Sequence, residues 1–228
     1  MLAALDRIGA RWGLARAELA FAAFLVFAFG SGVQAHLMPS VYPLTRLTTD
    51  GLLLVVVGGL LAFVYRRARD PRLLYWGGVT YLGTFALEAI GVATGLIFGE
   101  YHYGPTMWVQ WLGVPLVIAL NWTALILATN HLAGALLRHP LAISAAAALL
   151  IVGYDYCIEP VAIRLDYWQW HAGYIPTQNY LAWGLIALVF SLPLNYLNIR
   201  FRHPLLLVYA LAQLAFFLLL LALFSPSR

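Results

Sequence analysis

The chain has 228 residues, 63% of them hydrophobic and only 10% charged, against roughly 25% charge in an average soluble domain. With a mean hydropathy of +0.84 and ~20 apolar residues needed per spanning helix, this excludes a soluble globular domain, a disordered tail and a sizeable extramembrane domain. The net charge of +4 rests on arginine alone, and without lysine there is no enzyme amine for Schiff-base chemistry, retinal attachment included.

The hydropathy pattern predicts seven spans, at roughly 17–36, 47–65, 73–97, 107–131, 138–156, 177–198 and 204–224. Prolines 39, 43, 71, 105, 140, 160, 176 and 204 punctuate the connections, as expected of a residue without an amide donor. Arg7, Arg11 and Arg16 precede the first run, which is closer in length to a span than to a signal-peptide core. Asp50 opens the second span, where a helix amino terminus favours an acid. The third carries Glu88, with Thr84, Gly91 and Gly95 on the same helical stripe. The two glycines there allow a helix or a ligand close approach. Glu88 reads either as a packing residue or as a functional acid.

The third connection, Phe98 to Gly104, is aromatic and polar. The fourth span places Gln110, Val114, Val117 and Asn121 on one face, with Asn121 suited to interhelical hydrogen bonding. The fifth ends with Asp155 and Glu159, which share a face if the helix continues to Pro160. Two carboxyls so close in a poorly solvated place do not both ionise easily; pairing with Arg164 or headgroups is the alternative. The following connection, Arg164 to Tyr180, crowds Asp166, Trp168, Trp170, Gln178 and Asn179 together, more than an aromatic belt requires. The seventh span, rich in Leu, Ala and Phe and free of acids, is expected to face lipid.

Ten of the thirteen arginines fall at the amino terminus and the second, fourth and sixth connections; Arg46, Arg164 and Arg228 lie on the other side. The split predicts a cytoplasmic amino terminus. The expected fold is thus an all-α integral membrane protein, a bundle of about seven transmembrane helices, forming one polytopic domain over residues 1–228 in the cell membrane. Under that topology Glu88, Glu100, Asp155, Glu159, Asp166 and Asn179 gather toward the outer end. Acids collected at one end, with an aromatic rim, describe a pocket for a long apolar ligand whose reactive end meets carboxyls.

No His-rich metal motif, phosphate loop, dinucleotide fingerprint or serine-nucleophile context is present, and the single Cys157 builds no metal site. Cofactor-free acid chemistry, or no chemistry, remains; no metal and no nucleic acid is expected.

Two stretches resemble a known family. Glu88-Ala-Ile-Gly91-Val-Ala-Thr94-Gly95, continuing to Phe98-Gly99-Glu100-Tyr101-His102-Tyr103, is similar to the signature of the CruF-type carotenoid 1,2-hydratase family ("carotenoid biosynthesis protein"). Gly113-Val114-Pro115 with Asn121-Trp122, then Asp155, Glu159-Pro160, Trp168-Gln169-Trp170, Ile175-Pro176 and Asn179-Tyr180 extend the likeness over about residues 80–185. The resemblance implies a hydro-lyase that adds water to the terminal C1=C2 bond of an acyclic carotenoid end group of lycopene or γ-carotene type, without a cofactor. Asp155 or Glu88 would donate the proton, and Glu159 and Asp166 would position water. Tyr101, Tyr103, Trp168 and Trp170 would surround the cation, with Glu100, Asn121, Trp122 and Asn179 completing the substrate site. The partners implied are the carotenoid within the bilayer, membrane lipids and other carotenoid-synthesis enzymes. A lycopene-type cyclase or a non-catalytic carotenoid binder are the alternatives.

Overall fold

A computed structural model describes residues 9–224; Arg7 and Arg228 lie outside the described residues. Within them run seven long helices: α1 Arg16–Leu37, α2 Tyr42–Ala68, α3 Pro71–Thr94, α4 Leu116–Leu136, α5 Pro140–Arg164, α6 Thr177–Tyr196 and α7 Pro204–Leu223. Four short strands interrupt them: β1 Tyr101–Tyr103, β2 Gln110–Trp111, β3 Val114–Pro115 and β4 Trp168–Trp170. The architecture is that of an all-α membrane protein.

Local chemistry sets the helix ends. Pro43, Pro71, Pro140 and Pro204 occupy first turns, where a missing N–H costs nothing. Asp70 caps α3 by accepting the Arg72 amide at 3.1 Å, and Gly95 ends it in the left-handed region at φ 68°. His203 caps α7, its Nδ1 accepting the Leu205 amide at 3.1 Å.

Five of the helices, α1, α2, α4, α5 and α7, are long and apolar enough to cross a membrane. The other two, α3 and α6, match them in length, at about 36 and 30 Å by their residue count. They are less apolar, through Arg72, Glu88 and several Tyr, Thr and Gly residues in α3 and Gln178, Asn179 and Asn195 in α6. α4 is the central helix, packed against α2, α3, α5, α6 and α7. α5 and α6 form the most extensive pair, and α1 lies along α7.

Three expectations need correction. The fourth helix starts at Leu116 rather than near residue 107, because residues 110–115 form a hairpin with Leu112 and Gly113 at positive φ. Gln110 and Val114 therefore share no helical face with Asn121. The fifth helix runs through Pro160 to Arg164 instead of stopping near 156. Its last carbonyls find donors in the polypeptide around it: Tyr167 N–H on Ala162, Gln169 Nε2 on Ile163, and Thr106 Oγ1 on Leu165. The seventh helix does not simply face lipid. Leu206, Tyr209, Ala210, Gln213, Phe216, Phe217 and Leu220 are buried along one stripe, packed toward α1, α4 and α5. Leucine and phenylalanine suit a protein neighbour as well as an acyl chain, so composition could not separate the two.

Candidate functional site

The third and fifth connections, 67 residues apart at their central pair, meet as a two-stranded antiparallel ribbon. Tyr101 pairs with Trp170, His102 with Gln169 and Tyr103 with Trp168. Side chains alternate across a strand, so Tyr-His-Tyr against Trp-Gln-Trp puts all four large aromatics on the inner face. Tyr101 and Trp170 stand with ring centroids 5.1 Å apart. The ribbon is a cap over the ends of α3, α5 and α6. Close approach beneath it depends on Gly91, where a Cβ would sit 2.6 Å from the Phe98 ring.

Each inward pair of aromatics grips one helix carboxyl. Glu88 of α3, 3% exposed, accepts Tyr101 Oη at 2.5 Å and Tyr103 Oη at 2.9 Å on Oε2, and Trp122 Nε1 at 2.9 Å on Oε1. Glu159 of α5, 1% exposed, accepts Trp168 and Trp170 Nε1 at 3.0 and 2.9 Å on Oε2, and Asn179 Nδ2 at 3.0 Å on Oε1. The partners differ in kind. Indole and amide N–H groups only donate, whereas a phenol donates or accepts. Burial, and then the charge of Glu88, push both cap phenols well above the ordinary tyrosine range, so they stay neutral.

Glu88 and Glu159 look onto one apolar cavity of about 1020 Å³ of empty space, part of it open to the surroundings. Phe29, Phe98, Met107, Ile158, Phe216 and Phe217 furnish much of its wall, with Trp183 stacked on Trp122 at 4.0 Å between centroids. Asn121 reaches it from α4 while accepting Tyr209 Oη and, at 3.0 Å, Gln213 Nε2 from α7. Its interhelical role and its place on the wall therefore coincide.

The sequence profile of the carotenoid biosynthesis protein family matches residues 50–225. The chain belongs to this family. The matched range takes in α3 to α7 and the whole cap. There is no significant match among curated proteins or among solved structures.

Within this carotenoid biosynthesis protein, most of the predicted site residues converge. Glu88, Tyr101, Tyr103, Asn121, Trp122, Glu159, Trp168, Trp170 and Asn179 all line the cavity. Three do not. Asp155 is fully buried one turn behind Glu159, off the wall; its Oδ2 accepts Asn179 Nδ2 at 2.7 Å, and its Oδ1 has no partner. Asp166 sits on the outer side of the cap at φ 58°, its side chain 38% exposed, 3.8 Å from Arg46. Glu100 turns outward, its side chain 77% exposed and 3.7 Å from His171. Arg164 turns to the Phe224 ring and carbonyl rather than to the acids. Among the described residues, Glu88, Asp155 and Glu159 have no cationic partner. No group of three or more His, Cys, Asp or Glu side chains there is placed to hold a metal ion.

The structure also adds residues that sequence reasoning left unassigned. His36 and Tyr167, with Oη and Nε2 3.4 Å apart, line the cavity with Trp183 and Gln213. Gln213 was the available signal, a lone amide one turn from Tyr209 in an otherwise apolar span.

Proposed function

We propose that the protein is a carotenoid 1,2-hydratase of the cell membrane, adding water to the terminal C1=C2 bond of an acyclic end group. The observation that carries the reading is that two helix carboxyls, each held by cap aromatics, face a single apolar cavity. A polyene end group fits the apolar wall, and the carboxyls are the polar groups placed to act on it.

Glu88, whose phenol partners accommodate either protonation state, donates a proton to C2. The C1=C2 electron pair forms the new C–H bond and leaves a tertiary cation at C1. The faces of Tyr101, Tyr103, Trp168 and Trp170 stabilise that charge through their quadrupoles. Glu159, whose partners are all N–H donors, acts as the carboxylate that orients a water and takes its proton as the oxygen bonds to C1. Return of that proton to Glu88 closes the cycle, and the sum is one water added. Asp155 supports Asn179 rather than touching substrate; Asp166 and Glu100 have no part. In this reading the arginine-rich end faces the cytoplasm, the side its charge favours, and the cap faces the opposite side.

Expression in bacteria that accumulate lycopene tests this directly. Chromatography and mass spectrometry should show pigment heavier by one or two waters. An isomer of unchanged mass would make the protein a cyclase, and unaltered lycopene beside folded protein would make it a binder. Glu88→Gln and Glu159→Gln should each abolish the product.

A further inference from the structure

The end of the bundle away from the acids is also hollow. About 990 Å³ of space, part of it open to the surroundings, lies between the end of α2, the start of α5, the end of α6 and the α6–α7 connection. Arg67, Arg138, Arg200 and Arg202 line it, together with Asn195 and Asn198.

The connection is built to present its arginines. Ile199, Phe201 and His203 are buried while Asn198, Arg200 and Arg202 are exposed, the alternation of an extended chain that puts Arg200 and Arg202 on one side. The strap is pinned to the start of α3. The Arg200 amide donates to Asp70 Oδ2 at 3.1 Å, and the Arg72 guanidinium donates to the carbonyls of Leu197 and Asn198 at 3.0 and 3.3 Å. Arg202 lies across α4 at Gly134, where a Cβ would stand 2.5 Å from Nη2.

Four arginines from three separate parts of the chain thus line one hollow, the Arg67 guanidinium also donating to the Gly13 carbonyl at 2.8 Å. Among the described residues, Arg138, Arg200 and Arg202 have no carboxylate within ion-pair distance; Arg67 is 4.0 Å from Glu18, and Asp70 is engaged by Arg72. Such a cluster repels itself until an anion enters. The guanidinium fork matches the oxygens of a phosphate, and basic pockets between transmembrane helices suit phosphate-bearing headgroups. We propose that this cavity binds a phosphate group, carried by an anionic phospholipid headgroup or free in solution, independently of the acid-lined site.

The test uses the full chain purified into phosphatidylcholine nanodiscs, with binding read by thermal stabilisation and native mass spectrometry. One arm adds phosphatidylglycerol, the other inorganic diphosphate. Saturable binding in the first arm alone assigns the site to lipid, and in the second to a soluble anion; binding in neither overturns the proposal. Arg138→Gln with Arg202→Gln should weaken the positive arm by about tenfold or more, the scale of a lost charge-assisted hydrogen bond. Arg66→Gln with Arg69→Gln removes equal charge from the same end outside the cavity, and should leave affinity within about twofold. Equal losses in the two pairs would mean general surface charge and refute the site. Should the first pair fail to fold, Gly134→Ala keeps every charge but displaces Arg202, and unchanged affinity there would equally refute it.

Discussion

Replacing each cavity-facing carboxyl by its amide isostere should not be symmetric in stability. In Glu88→Gln, the amide oxygen can keep Trp122 Nε1, while the NH2 turns to Tyr101 and Tyr103, whose hydroxyls can accept. In Glu159→Gln, no orientation works. An NH2 toward Trp168 and Trp170 confronts two indole N–H groups, and an NH2 toward Asn179 confronts that amide. Flipping Asn179 instead forfeits its bond to Asp155. The cheaper choice still leaves one buried N–H unpaired, about 1–3 kcal/mol. In the resting state proposed above only Glu159 carries a charge, and the desolvation its amide escapes offsets the charge-assisted bonds it gives up, which leaves the unpaired N–H to set the difference. At roughly 2–4 °C per kcal/mol for a chain of this size, Glu159→Gln should melt ~2–12 °C below Glu88→Gln. Scanning fluorimetry of the two proteins in one detergent measures the gap. A Glu159→Gln protein that melts at or above its counterpart would refute the assignment of Glu159 as an obligate acceptor.

Gly91→Ala places a methyl against the buried Phe98 ring, and should cost about 1–3 kcal/mol by overpacking, read as a lower melting temperature and reduced product. Trp168→Phe with Trp170→Phe keeps the aromatic faces but strips Glu159 Oε2 of both donors; product should fall sharply while pigment binding, followed by absorbance, persists. The Asp70 carboxyl is held well below the ordinary range, first by the Arg72 guanidinium and then by the Arg200 amide. Its contribution is therefore complete above the unfolded value and lost as pH falls through the folded one. Melting curves below about pH 4 should show wild type losing stability relative to Asp70→Asn, whose deficit is largest at neutral pH.

The helical bundle was legible because each span had to be apolar along its length, and so was the gathering of acids at one end, because an acid at membrane depth stands out against leucine. The ribbon was not. Three residues give no usable period, and nothing in Tyr-His-Tyr announces a partner beginning at Trp168. Residues 107–115 are apolar enough to pass for the start of a helix, and only Leu112 and Gly113 at positive φ betray the turn. Asp155 and Glu159 share a helical face as their spacing foretold, yet the cavity reaches only the second, a matter of depth that spacing does not encode. Likewise Asp166 belongs to the right segment but follows the outward face of the cap.

Of the six donors that hold Glu88 and Glu159, four come from β1 and β4 and only Trp122 and Asn179 from helices. The strands flank a stretch of chain that must cross the bilayer and return before they can meet, so loop closure comes late in assembly. A nascent chain that stops after α4 already holds Glu88 and half of its cap, but neither Glu159 nor the other strand. If the two carboxyls act together as proposed, incompletely inserted copies would be chemically silent, and pigment would meet the paired acids only in molecules whose topogenesis is finished.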